Sequence, residues 1–153
     1  MSGRRFVVTC IVAFLVSQGF AIVIHGYLLN ADYEPFRGTL LRSMDAGSGW
    51  QVLFLPVAHL SFIVAFVWVF TRTALRGSWL RQGLQFGLVA WLMAQVPLWL
   101  LWYAEQPWPG NLVAKQLVLE LVASLTIGTV VSALCRRRSM LTDRDTRVLA
   151  EMP

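Results

Sequence analysis

Apolar residues run almost without interruption through four stretches of this chain, 6–29, 52–70, 84–104 and 112–135, and polar residues gather between them. Each stretch reaches the roughly 20 helical residues that carry a chain across a ~30 Å hydrocarbon layer, so each predicts a transmembrane helix. The segments between are short. The longest, 30–51, has room for one short helix with its turns, and Pro107, Pro109 and Gly110 stiffen 105–111 into little more than a turn. The predicted fold is all-α: a single integral membrane four-helix bundle over 1–153, with an arginine-rich tail at 136–153.

Finer patterning adds detail to this frame. In the first long loop Phe36, Leu40, Leu41 and Met44 recur at helical spacing, with Arg37, Arg42 and Asp45 pointing elsewhere, Pro35 at the start and Gly47-Ser48-Gly49 at the end. That predicts a short interfacial helix whose apolar face turns to lipid or to the bundle. Pro97, inside the third stretch, is expected to bend its helix by removing one backbone hydrogen bond. Small residues mark contact faces: Gly83 and Gly87 on the third helix, with Ala90 and Ala94 beside that line, and Ser124, Gly128 and Ser132 on the fourth. Internal packing is the expected use of both faces. Trp50, Trp99, Trp102, Tyr103 and Trp108 near one boundary, and Trp79 near the other, read as interfacial belts.

Composition and charge then fix the setting. With 57% hydrophobic and 14% charged residues, the chain lacks the polar surface to clothe a soluble globule. Arg4 and Arg5 precede the first stretch as in a signal peptide, but that stretch exceeds a usual h-region and no Ala-x-Ala pattern follows, so an uncleaved anchor is expected. Arg4, Arg5, Arg72, Arg76, Arg81, Arg136, Arg137, Arg138, Arg144 and Arg147 fall on one side of the spans, against Arg37, Arg42 and Lys115 on the other. The positive-inside rule therefore predicts both termini cytoplasmic and loops 30–51 and 105–111 outside. The net charge of +5 reports this topology, with attraction to anionic lipid as its physical consequence and no nucleic-acid partner expected.

Chemistry is confined to polar groups inside the spans. Counted from the outer edge at ~1.5 Å per residue, Glu120 lies about 12 Å deep on the fourth helix, His59 and Gln95 lie at similar depth, His25 is shallower and Gln18 deeper. An acid at such depth needs a partner or a wet cavity. Gln116, one turn before Glu120, shares its face. The candidate polar cluster, whether ligand-binding or structural, is thus His25, His59, Gln95, Gln116 and Glu120, and a His59–Glu120 contact is the expected pairing. A bis-histidine haem is disfavoured because His25 and His59 differ in depth by about one helical turn, and too few ligands converge for another metal. No cofactor is expected. Cys10 and Cys135 lie toward the reducing side, which predicts free thiols. No serine elbow, phosphate-binding glycine loop or catalytic carboxylate pair occurs, so the chain is not expected to be an enzyme.

The segment His25-Gly26-Tyr27-Leu28-Leu29-Asn30-Ala31-Asp32-Tyr33 carries a His-Gly-x-Leu-Leu-x-x-x-Tyr pattern at the end of the first span. In this it resembles a group of small uncharacterised bacterial four-span inner-membrane proteins, which also tend to carry an acid in the last span, as Glu120 does here. The resemblance implies the fold and brings no activity. The functional expectation is a non-catalytic accessory or assembly subunit of a larger membrane complex, with membrane lipids and other subunits or further copies of the chain as partners. The alternatives are a small-molecule protein binding a lipid or quinone at the polar cluster, and a homo-oligomeric channel.

Overall fold

The structure, a computed structural model, describes the backbone of residues 1–41, 53–73 and 77–150 and the side chains as far as Cys135. Four helices among the described residues are long and apolar enough to cross a membrane: Gly3–Leu28, Phe54–Arg72, Trp79–Glu105 and Gly110–Cys135. They form an all-α four-helix membrane bundle. The first span is α1 (Gly3–Ala21) continued by a π-helical segment, Ile22–Leu28. A short α2 (Asn30–Tyr33) follows, then α3 (Phe54–Arg72) as the second span. The third span is α4 (Trp79–Ala90), a π-helical segment Trp91–Gln95, and α5 (Val96–Glu105). The fourth belongs to α6 (Gly110–Ala150), whose backbone stays helical beyond the span.

Span α1 packs against α3 on one side and α6 on the other, and α6 packs most extensively against α4. Met1 Sδ lies 3.8 Å from Cys135 Sγ, so the chain starts beside the place where the fourth span ends. We call this the N-terminal end of the bundle, and the end carrying α2 and the 105–111 turn the far end.

The α4–α6 contact follows from the absence of side chains. A Cβ on Gly83 would sit 2.6 Å from Thr129 Cα, and one on Gly87 would sit 2.9 Å from Leu125 Cα. A Cβ on Gly128, from the other helix, would sit 3.0 Å from the Gly87 nitrogen. Lipid supplies no hydrophobic drive for helices to associate, so dispersion contacts at this backbone-to-backbone distance are what hold the pair. Two hydrogen bonds flank the seam: Ser132 Oγ donates to Trp79 O at 2.7 Å, and Trp91 Nε1 donates to Leu117 O at 2.9 Å. The small residues are thus spent on internal packing, as their spacing predicts.

Two apolar clusters lie along the bundle axis. Toward the N-terminal end, Cys10 and Ala13 of α1 pack with Ile63, Phe66, Val67 and Phe70 of α3 and with Ile127 and Val131 of α6. Phe86 of α4 closes this cluster edge-on, 4.7 Å from Phe66 and 5.2 Å from Phe70 between ring centroids. Cys10 and Cys135 are both free thiols. Toward the far end, Ile24, Leu29, Tyr33, Trp99, Trp108, Leu112, Val113 and Ala123 form the second cluster.

The far end departs from expectation in three places. The predicted interfacial helix does not run from Phe36. Helix occurs earlier, as α2 and a 3₁₀ turn Glu34–Phe36, and Arg37 then turns extended at ψ 132°. Gly38, at φ +77°, donates to Leu41 O at 2.8 Å while Leu41 N–H returns to Phe36 O at 2.9 Å. A left-handed residue that glycine adopts without strain closes a tight turn where the apolar spacing suggested a helix. Phe36, Leu40 and Leu41 nevertheless pack on the far-end cluster. Arg42, Met44, Asp45 and Trp50 lie outside the described residues.

Second, Trp99 and Trp108 are not belt residues. They are 7% and 4% exposed, and Trp108 packs 5.3 Å from Phe36 while its indole donates to Gln106 Oε1 at 2.8 Å. The chain folding over the helix ends buries rings that would otherwise sit in the interface. Third, the disturbance at Pro97 takes the form of the π-helical turn just before it, where Val96 N–H reaches back to Trp91 O. Proline has no N–H and clashes with the carbonyl four residues earlier, and a wider turn relieves both.

Candidate functional site

His25 lies in the π-helical end of the first span, and that wider turn sets where its ring points. Its Nε2 stands 3.4 Å from Glu120 Oε1 on the fourth span, and its Nδ1 stands 2.9 Å from the Tyr33 hydroxyl on α2. Tyr33, His25 and Glu120 thus form a polar chain, in which one ring nitrogen is hydrogen-bonded to the tyrosine hydroxyl and the other stands at ion-pair distance from the carboxyl group. The two rings stack at 6.0 Å with 21° between their planes. The Glu120 side chain is 18% exposed and that of His25 39%.

Tyr33 is buried, and burial pushes its hydroxyl well above the ordinary tyrosine range, with the charges of Glu120 and Asp32 adding to the effect. It therefore remains a proton donor to His25 at neutral pH. Lys115 Nζ holds Asp32 through both carboxylate oxygens, at 2.9 and 2.8 Å, and so ties α2 to the fourth span just outside the network. Arg37 bonds Asn30 at 2.5 Å and Glu34 at 2.6 Å, which fastens the turn after α2 back onto its start.

The expected His59–Glu120 contact is not made. His59 Nδ1 pairs instead with Gln18 Oε1 at 2.5 Å, which joins the second span to the first, while Glu120 takes His25. Depth counted along ideal α-helices misjudged the first span, because winding five residues rather than four into a turn changes which residue faces the bundle. Glu120 and His25 remain within electrostatic reach of His59, so the two pairs are neighbours.

Gln116 is wholly buried at 0% exposure, and neither Nε2 nor Oε1 finds a hydrogen-bond partner among the described residues. It stands one helical turn from Glu120. Gln95, at the end of the second π-helical segment, is half-buried and makes no hydrogen bond among the described residues, so it does not join the network. No group of three His, Cys, Asp or Glu side chains able to hold a metal ion occurs among the described residues.

Sequence reasoning missed Tyr33 as a member of the site, although the signal was present. His25 and Tyr33 are the first and last residues of the His-Gly-x-Leu-Leu-x-x-x-Tyr segment, and the bend at Leu29 brings them together. The Leu29 side chain, 1% exposed, anchors that bend in the far-end cluster. No family model, no curated protein and no solved structure matches this chain.

Proposed function

We propose that this chain is a non-catalytic bacterial inner-membrane protein, both termini cytoplasmic, that binds the polar head of a lipid- or quinone-class molecule in the outer half of its bundle. The observation that carries this reading is the Gln116 amide, without a hydrogen-bond partner among the described residues and buried one turn from Glu120 of the Tyr33–His25–Glu120 chain. Leaving a buried polar group unpaired costs about 1–3 kcal/mol. A carbonyl or hydroxyl of a bound head group, supplying the missing partner, offsets that cost. The second span supports a lateral route of entry: its buried residues begin at Ile63, and none of 54–61 is buried.

The test is organic extraction of the purified protein followed by mass spectrometry, together with the variant Gln116→Leu. The expected result is a lipid or quinone retained by the wild-type chain and lost from the variant, with no gain in thermal stability. A ligand-free wild type that Gln116→Leu stabilises by about 1–3 kcal/mol would refute the reading, because the amide would then be a plain packing defect.

One observation favours a second reading, an accessory or assembly subunit. Leu55, Val57 and Leu60 are between 45% and 58% exposed along the same half of α3, a strip that a partner helix can cover. Purification in mild detergent distinguishes the two, since a retained stoichiometric protein partner favours the subunit and a retained small molecule favours the binding protein.

A further inference from the structure

At the opposite end from the polar network, Arg4, Arg5, Val8, Thr9 and Leu134 line an open groove of about 340 Å³ between the start of the first span and the end of the fourth. Among the described residues neither guanidinium has an acidic partner. Thr9 is 3% exposed. Its hydroxyl makes no hydrogen bond among the described residues, whereas Ser61, Thr71, Thr126 and Thr129 each return theirs to a backbone carbonyl of their own helix. A hydroxyl without a hydrogen-bond acceptor, on an otherwise buried residue, beside two arginines that have no acidic partner among the described residues, is a set of donors without an acceptor.

We infer that this groove holds the phosphate of an anionic phospholipid. Paired guanidinium forks match the oxygens of a phosphodiester, and the Thr9 hydroxyl supplies a further donor from below. The first turn of α1 adds the positive end of its helix dipole to the same spot. The surroundings select a lipid over a free anion. Val8, Ile11 and Leu15 follow one face of α1 away from the groove, exposed at 48%, 53% and 63%, and so form an apolar rail for an acyl chain. The backbone of α6 carries Arg136, Arg137 and Arg138 directly beyond Leu134, which concentrates further positive charge at this end.

The test uses the full chain in detergent micelles, titrated with phosphatidylglycerol and, as zwitterionic control, phosphatidylcholine, with binding read by native mass spectrometry. Wild type is expected to retain phosphatidylglycerol over phosphatidylcholine. Arg4→Gln with Arg5→Gln is expected to weaken phosphatidylglycerol binding by roughly twenty-five-fold, about fivefold for each charge removed. Thr9→Val, which keeps every charge, is expected to weaken it about fivefold, and Thr9→Ser to restore it. Should the double arginine variant fail to fold, the Thr9 pair carries the test alone. Unchanged binding in Thr9→Val overturns the inference, as does an equal loss from Arg72→Gln with Arg81→Gln, since either result reduces the groove to diffuse attraction at the rim. Displacement of the lipid by inorganic phosphate beyond that by chloride at equal ionic strength also overturns it, by making this a site for a free anion.

Discussion

His25 Nε2 and Glu120 Oε1 stand 3.4 Å apart and join the first span to the fourth, while the other nitrogen of the same ring is held by Tyr33 at 2.9 Å. One imidazole therefore fixes the exit of the first helix against two other elements. An acid inside a bundle is tolerable on these terms, because the polar ring beside it is itself held in place.

A double-mutant cycle measures that relationship. His25→Gln and Glu120→Gln are expected to be non-additive, with a coupling of about 0.6–1.7 kcal/mol, the range found between membrane helices. The cycle between His59 and Glu120 should give much less, because His59 is engaged by Gln18. Chemical unfolding in mixed micelles reads both. Glu120→Leu should destabilise more than Glu120→Gln, which keeps an acceptor for the ring.

The helix seam makes a sharper prediction. Gly87→Ala and Gly128→Ala each force a methyl into the backbone of the opposing helix, and each is expected to cost about 1–3 kcal/mol or to prevent folding. Gly19→Ala meets nothing within 4 Å, so it should be neutral or stabilising by up to about 1 kcal/mol. Thermal melting of the three variants under one detergent condition checks the contrast. Equal behaviour at positions 19 and 87 would remove the close approach of α4 and α6.

Tyr33 predicts an alkaline effect whose sign follows from its environment. Its hydroxyl is held above the free value of 10.0 by burial, so the neutral form is favoured in the fold. That contribution is complete below about pH 10 and is lost as the pH rises toward the elevated folded value. Tyr33→Phe cannot ionise at this position. The wild type should therefore lose more stability than Tyr33→Phe between about pH 9.5 and 11, read by chemical unfolding across that range. At neutral pH the variant should be weaker by about 1 kcal/mol, the worth of one hydrogen bond to His25.

Sequence alone determined the four spans, because a bilayer allows a chain few ways to satisfy its backbone and long apolar runs must become helices. It also marked contact faces on the third and fourth helices, since Gly83 and Gly87, and Ser124, Gly128 and Ser132, allow close approach by their spacing on a single helix, while the structure decided that these two faces meet each other. Those are local properties, readable along one dimension. Tertiary structure decided which polar groups meet. Whether Glu120 finds His25 or His59 depends on the rotation of each helix, and an added residue in the turn of 22–28 is enough to change it. It decided equally that Phe36 ends a helix, because Gly38 could turn left-handed there, and that Trp99 and Trp108 are core, because the chain folds back over the far end of the bundle. Pairing across the bundle is set by small differences in rotation and depth that sum over many residues, and no single stretch of sequence carries that sum.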